Sequence, residues 1–222
     1  MRSFGLSTGK LLDLSEDQRA KIVDLVSQKA EPWVESENAG ERIRGITLLG
    51  GMGATEAIPT AKRLFHDKTR TGSVWRSGRP SAEIYGVQEA AARALIRLIR
   101  VDAFPIIEEE LPKANWHMRE ELLNVLRKLD TTAYELAESP DSATVVEMWK
   151  RLAEHSLDDI RHPALCEVLR RDDGTYLFDH PELIESESDS VRGTAVRLLA
   201  KLDSPTASTL LRKAITDKNE TI

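Results

Sequence analysis

Four residues past the middle of the chain have the types of a metal site: His155, Asp158, Asp159 and His162. On one continuous helix they stand at i, i+3, i+4 and i+7, a single face of ligands suited to iron or zinc. Ser156 and Asp158, however, have the character of a helix boundary, which divides the set between two elements. They read as helix-end polar residues, and no metal is assigned. Trp116 and Glu120, four apart, offer an aromatic ring and a carboxylate for chemistry on a DNA base. Residues 81–222 carry a net charge of −9, which repels phosphates, so Trp116 is expected to pack in the core or at a helix start. Gly5-Leu6-Ser7-Thr8-Gly9-Lys10-Leu11 is one residue short of a phosphate-binding loop, and Leu11 replaces the Ser or Thr that would hold Mg²⁺. Asp172-Asp173-Gly174 lacks the rest of a calcium loop and reads as a turn. Cys166 reads as a buried structural thiol. The sequence thus assigns no catalytic, cofactor-binding or metal-binding residue.

Surface chemistry is better marked. Between Lys62 and Arg79 stand Lys62, Arg63, Lys68, Arg70, Arg76 and Arg79 against Asp67 alone, a local charge of +5. Trp75 lies among them, beside Val74, in a stretch without helical period. Gly72, Gly78 and Pro80 mark it as a loop. Tryptophan and arginine on a long loop are hot-spot chemistry, so Arg70, Trp75, Arg76 and Arg79 are candidate protein-binding residues. A solvated linker with Trp75 folded back on the helices is the competing reading.

The elements that must position these residues follow from composition and repetition. Of 222 residues, 41% are hydrophobic, 31% charged and only 5% aromatic, and Leu, Ala, Ile and Val dominate the apolar set. That balance favours helix over a β-sandwich. The net charge of −6 disfavours a general electrostatic grip on nucleic acid. One cysteine makes no internal disulfide, no run approaches a membrane span, and the start lacks a signal-peptide core. A cytoplasmic protein is expected.

Val87–Leu95 aligns without gaps on Val191–Leu199, and Ala57–Asp67 on Ala207–Asp217. Taking Leu49, Leu95, Leu126, Val168 and Leu199 as markers gives spacings of 46, 31, 42 and 31 residues. Seven residues before each marker comes Arg42, Gln88, Arg119, Arg161 or Arg192. Each copy reads as two helices. In the last, Val191, Ala195, Leu198, Leu199 and Leu202 share one face, Ser204 caps and Pro205 opens the second helix, and Ala207, Leu210, Leu211, Ala214 and Ile215 form its stripe. Ser15-Glu16-Asp17-Gln18 is a capping box.

The segments Leu49-Gly50-Gly51-Met52-Gly53…Ala57-Ile58-Pro59 and Val191-Arg192…Asp203-Ser204-Pro205…Ala207 resemble HEAT repeats, in the short alanine-rich form named after phycobilisome lyases. The resemblance covers roughly residues 41–217. It implies an all-α fold, a single α-solenoid domain wound as a right-handed superhelix of about five helix pairs. Residues 15–40 form its N-terminal capping helix. The repeats fall at 41–67, 85–113, 116–140, 158–185 and 189–217, with insertions at 68–84 and 141–157. In the second insertion Asp141 can cap a helix with Ala143, Val146 and Trp149 on one face, either an extra helix or the displaced second helix of the third repeat. The resemblance also implies a concave groove of second helices that binds protein, and hence a non-enzymatic scaffold or adaptor.

The alternative is an enzyme on the same scaffold. HEAT-like hydroxylases carry metal-binding His-Glu pairs after the repeat arginine. Here His162 follows Arg161, but Pro163 replaces the glutamate and interrupts the helix pattern. HEAT-like DNA glycosylases are the other enzymatic model. Fourteen residues past the markers stand Arg63, Glu109, Pro140, Glu182 and Lys213. One reading is a groove with Glu108, Glu109 and Glu182 in its middle and basic rims, selecting a partner segment with central Lys or Arg; the competing reading is a solvated polar face, with Pro140 and Pro181 making the helices irregular.

Overall fold

The computed structural model describes residues 15–129, 142–171 and 173–214. The phosphate-loop-like segment at the start, Pro140, Asp141, Asp172 and Ile215 lie outside them. The described residues are mostly helical, as an all-α chain requires, and none of their helices is long and apolar enough to cross a membrane. The chain divides into two compact units, one ending at Ser139 and the other beginning at Pro140.

The first unit opens with α1 (Glu16–Val34), whose capping box forms as read: Ser15 accepts from the Gln18 amide, and the Gln18 side chain accepts from the Ser15 amide. Asn38 then caps α2 (Ala39–Met52), and Pro59 sits in the first turn of the short α3 (Ile58–Leu64). After a β-hairpin come α4 (Gly86–Ile99), α5 (Phe104–Glu110) and α6 (Trp116–Leu126), the last capped by Asn115. The core is shared by neighbouring helices: α1 packs on α2, α2 on α4, and α4 on both α3 and α6. Small residues set these distances. A Cβ added at Gly50 would stand 2.7 Å from Ala94 Cβ and 2.8 Å from Ala94 Cα, so α2 and α4 meet backbone to backbone. Ile46, Leu64, Phe65, Leu95, Ile107 and Leu122 fill the spaces between.

The second unit contains α7 (Ser142–Ala153), α8 (Asp158–Arg171), α9 (Thr175–Asp179), α10 (Asp189–Leu199) and α11 (Pro205–Ala214). α7 is a helix, as residues 141–157 were expected to include, but its inner face is Val145, Trp149 and Leu152, spaced i, i+4, i+7, while Ala143 is exposed. Pro163 does not break its helix. It lies in the second turn of α8, where its missing amide forfeits a single helical bond. In α10 the buried stripe is Val191, Ala195 and Leu199, with Leu198 and Leu202 half-buried. Ser204 accepts from the Ala207 amide at 3.0 Å, and of the α11 stripe Ala207 is fully buried. Cys166 is buried, with the Thr194 hydroxyl 3.7 Å from its sulfur.

The recurrent arginine has one structural job. Arg42 Nη1 donates to the Ser36 and Glu37 carbonyls at 2.7 and 2.8 Å, Arg119 Nε to Leu111 at 3.1 Å, Arg161 Nη1 to His155 at 3.4 Å, and Arg192 Nη1 to Ser186. Each reaches back across the preceding turn to carbonyls at a helix end or linker. Gln88 has no cation to offer, and there a side-chain cluster with Lys68 forms instead. Its Nζ meets the buried Glu110 carboxylate and the Gln88 side-chain oxygen, while Gln88 Nε2 donates to Glu110 at 3.3 Å.

Candidate protein-binding hairpin

The stretch expected to be an irregular loop is an antiparallel pair, β1 (Gly72–Arg76) and β2 (Arg79–Ile84). Ser77 and Gly78 join the strands with φ of 50° and 76°. Two left-handed central residues make the turn whose twist matches paired strands. The segment has no helical period, and its apolar residues do not alternate as those of a buried strand do. Ser-Gly between Ser-Val-Trp-Arg and Arg-Pro-Ser-Ala was the available signal.

The register runs Gly72 with Ile84, Ser73 with Glu83, and Val74 with Ala82, then shifts so that Trp75 faces Pro80 and Arg76 faces Arg79. Ser81 is the residue left over at the bulge, and its carbonyl accepts from Trp116 Nε1 at 3.2 Å. Asn115 Nδ2 donates to the Glu83 carbonyl at 3.0 Å, and the Arg76 guanidinium stacks 4.2 Å above the Trp116 ring. Trp116 is therefore the post on which the hairpin leans, consistent with the helix-start packing expected of it. At the base, Thr71 donates its amide to the Ile84 carbonyl at 2.8 Å and accepts from the Gly86 amide through its hydroxyl at 3.0 Å. Asp67 binds Arg42 Nε at 2.8 Å. Burial alone would raise the Asp67 pKa, but hydrogen bonds from the Thr69 hydroxyl and amide and from Arg42 outweigh it and hold the carboxyl below its ordinary value.

With its base fixed, the hairpin displays its tip. Trp75 is 64% exposed, one of the most exposed large apolar side chains among the described residues, so it does not fold back on the helices. Arg70 spans the strands, meeting the Ser73 hydroxyl and lying 3.8 Å from Glu83. The Tyr85 hydroxyl donates to that same Glu83 at 2.5 Å, which raises the phenol pKa above its usual value. Arg79 is exposed and has no ion pair among the described residues. Of the four candidates, then, Trp75 and Arg79 face outward, Arg70 is braced within the hairpin, and Arg76 is committed to Trp116.

The acidic candidates are distributed differently. Glu108 and Glu109 lie on α5, where Glu109 is 78% exposed and paired with Lys113 at 2.8 Å, an exposed contact that lowers its pKa. Their neighbour Glu110 points inward to Lys68. Glu182 belongs to the 3-10 turn Pro181–Glu185 of the second unit and contacts His180 at 3.3 Å. A cluster absent from the sequence reading lies on α4 and α6. Arg93 bridges Glu89 and Glu121 beside a groove of about 280 Å³ lined by Ile43, Thr47 and Arg97. Burial, the main cause, and the nearby Glu121 raise the Glu89 pKa despite Arg93. Glu89 and Arg93 four apart were legible as a helical pair, whereas Glu121 required the packing of α4 on α6.

The enzymatic candidates do not assemble. Because α8 begins at Asp158, His155 stands outside the helix, where its Nδ1 accepts from the Leu157 amide at 3.0 Å. Asp158 pairs with Arg161, and no group of three or more His, Cys, Asp or Glu able to hold a metal occurs among the described residues. Trp116 is occupied by the hairpin, and Glu120 is exposed. No family model matches the chain, and a search of curated proteins finds none that matches it.

Proposed function

We propose that the chain is a non-enzymatic, cytoplasmic protein-binding module. Its helices form a HEAT-like α-solenoid, and its partner is gripped through the hairpin. The observation that carries this is Trp75: a large aromatic side chain held out in water on a turn whose base is tied to three helices. Leaving such a side chain exposed forgoes about 2 kcal/mol of burial, a cost recovered on meeting a partner. The solenoid reading is supported by the side-by-side packing of successive helices in each unit and by the arginine that repeats its reach to the preceding turn.

Site-specific photo-crosslinking tests the reading. A crosslinker at Ser77 should capture protein in a native lysate that one at the exposed Arg170 of α8 does not. The capture should fall at least about tenfold in a Trp75→Ala, Arg79→Ala background whose melting temperature is unchanged. Equal capture from both positions, or capture indifferent to Trp75, would refute it. Arg76 is spared in this design because its loss would loosen the hairpin from Trp116.

A further inference from the structure

The first unit carries a second unpartnered surface. Between α1, the 3-10 turn Thr55–Ala57 and the start of α3 runs a groove of about 340 Å³. Leu49 and Ala57 form its floor, and Asp24, Glu31, Glu35 and Glu56 rim it. It is thus a small apolar floor inside a polar, mostly acidic border, not a bare cluster of carboxylates. Its volume accommodates one large side chain. Glu35 is answered by Arg63, and Glu56 accepts from the Ser27 hydroxyl, but Glu31 has no ion pair among the described residues.

The hairpin is the inverse of this surface: an exposed tryptophan beside Arg79, which also lacks an ion pair among the described residues. Both features belong to one compact unit. Within a single chain they do not meet, since Trp75 stands 64% exposed on a hairpin anchored to α6. We infer that the occupant of the groove is the hairpin of a second copy of this chain, with Trp75 on the Leu49–Ala57 floor and Arg79 against Glu31. This rests on the hairpin being a protein-binding element and names its partner. Charge complementarity selects it, because a basic aromatic tip suits an acidic, apolar-floored slot. A contact between two different surfaces is heterologous, so association continues beyond the dimer into open chains or closed rings.

Complementation tests this with the full chain. In low salt the weight-average mass from sedimentation should rise from monomer through dimer and beyond between roughly 1 and 100 µM, and fall back in high salt. Trp75→Ala with Arg79→Glu removes the tip, and Glu31→Arg with Glu56→Arg removes the slot. Each double variant should be monomeric alone with parental helical content. Mixed in equal amounts they retain one tip and one slot between them, and should form dimers that grow no further. A parent chain monomeric throughout, a variant that still associates alone, or a mixture that stays monomeric would each overturn the inference. If the parent is monomeric but Ser77 still crosslinks another protein through Trp75, the hairpin remains a binding element and only its self-recognition fails. If neither occurs, both readings fail.

Discussion

Arg42 and Arg161 hold equivalent places in the aligned sequence segments but bear unequal loads. The Arg42 side chain is 11% exposed and donates to two carbonyls, Asp67 and the Thr69 hydroxyl, whereas that of Arg161 is 36% exposed, with one long carbonyl bond and an exposed Asp158. Removing one partner of a nearly buried pair leaves the other uncompensated, so Arg42→Ala should cost about 2–4 kcal/mol in urea unfolding. Arg161→Ala should cost about 1 kcal/mol or less. The Asp67 carboxyl is held below its ordinary pKa, so its contribution is complete above the unfolded-state value and lost as pH falls through the lower folded value. The gap between parent and Arg42→Ala should therefore narrow in acid; a gap independent of pH would mean that the carbonyl bonds carry the whole effect. The arginine period was legible in the sequence. Its purpose was not, because Asp67 lies 25 residues away and the carbonyls belong to a turn whose path only packing defines.

At the scale of elements, capping chemistry was the most reliable guide. Ser15, Ser204 and Pro205 act where their types and spacing placed them, since a cap depends on residues three or four apart. Packing faces were less legible: α7 turns Val145 inward and Ala143 outward, a choice made by α8 against which it lies. The hairpin was hidden for another reason. Its strands cover no core of their own, so they lack the apolar alternation of a buried sheet. Their order comes from the two-residue turn and from Trp116. An isolated two-stranded hairpin is marginally stable in water, so its order should depend on that post. Trp116→Ala removes the Ser81 bond and the Arg76 stack together. It should speed amide exchange in residues 72–84 at least about tenfold, while α4 and α8 keep their protection. Unchanged strand protection would show that Thr71 and Asn115 suffice.

Across the whole molecule the decisive quantity is the distribution of charge. Residues 1–80 are net +3 and residues 81–222 net −9, so the basic hairpin is attached to a chain that is mostly acidic. Helical content was legible at this scale because it is a sum over many residues, each contributing a weak preference to the same answer. The partner was not, because recognition resides in a few side chains presented by packing. The two classes of partner open to an aromatic basic tip respond oppositely to the global charge. A nucleic acid must bring many phosphates near the acidic remainder, whereas a protein segment brings a few carboxylates to the tip alone. Fluorescence anisotropy of a labelled duplex should accordingly stay flat up to about 10 µM protein in about 50 mM salt, where a true DNA-binding surface of several contacts is already engaged. A rise in anisotropy that disappears in Arg79→Glu would reassign the hairpin to nucleic acid. The slope of log affinity against log salt would then count its phosphate contacts at about 0.9 each, and a slope near 1 would match Arg79 alone.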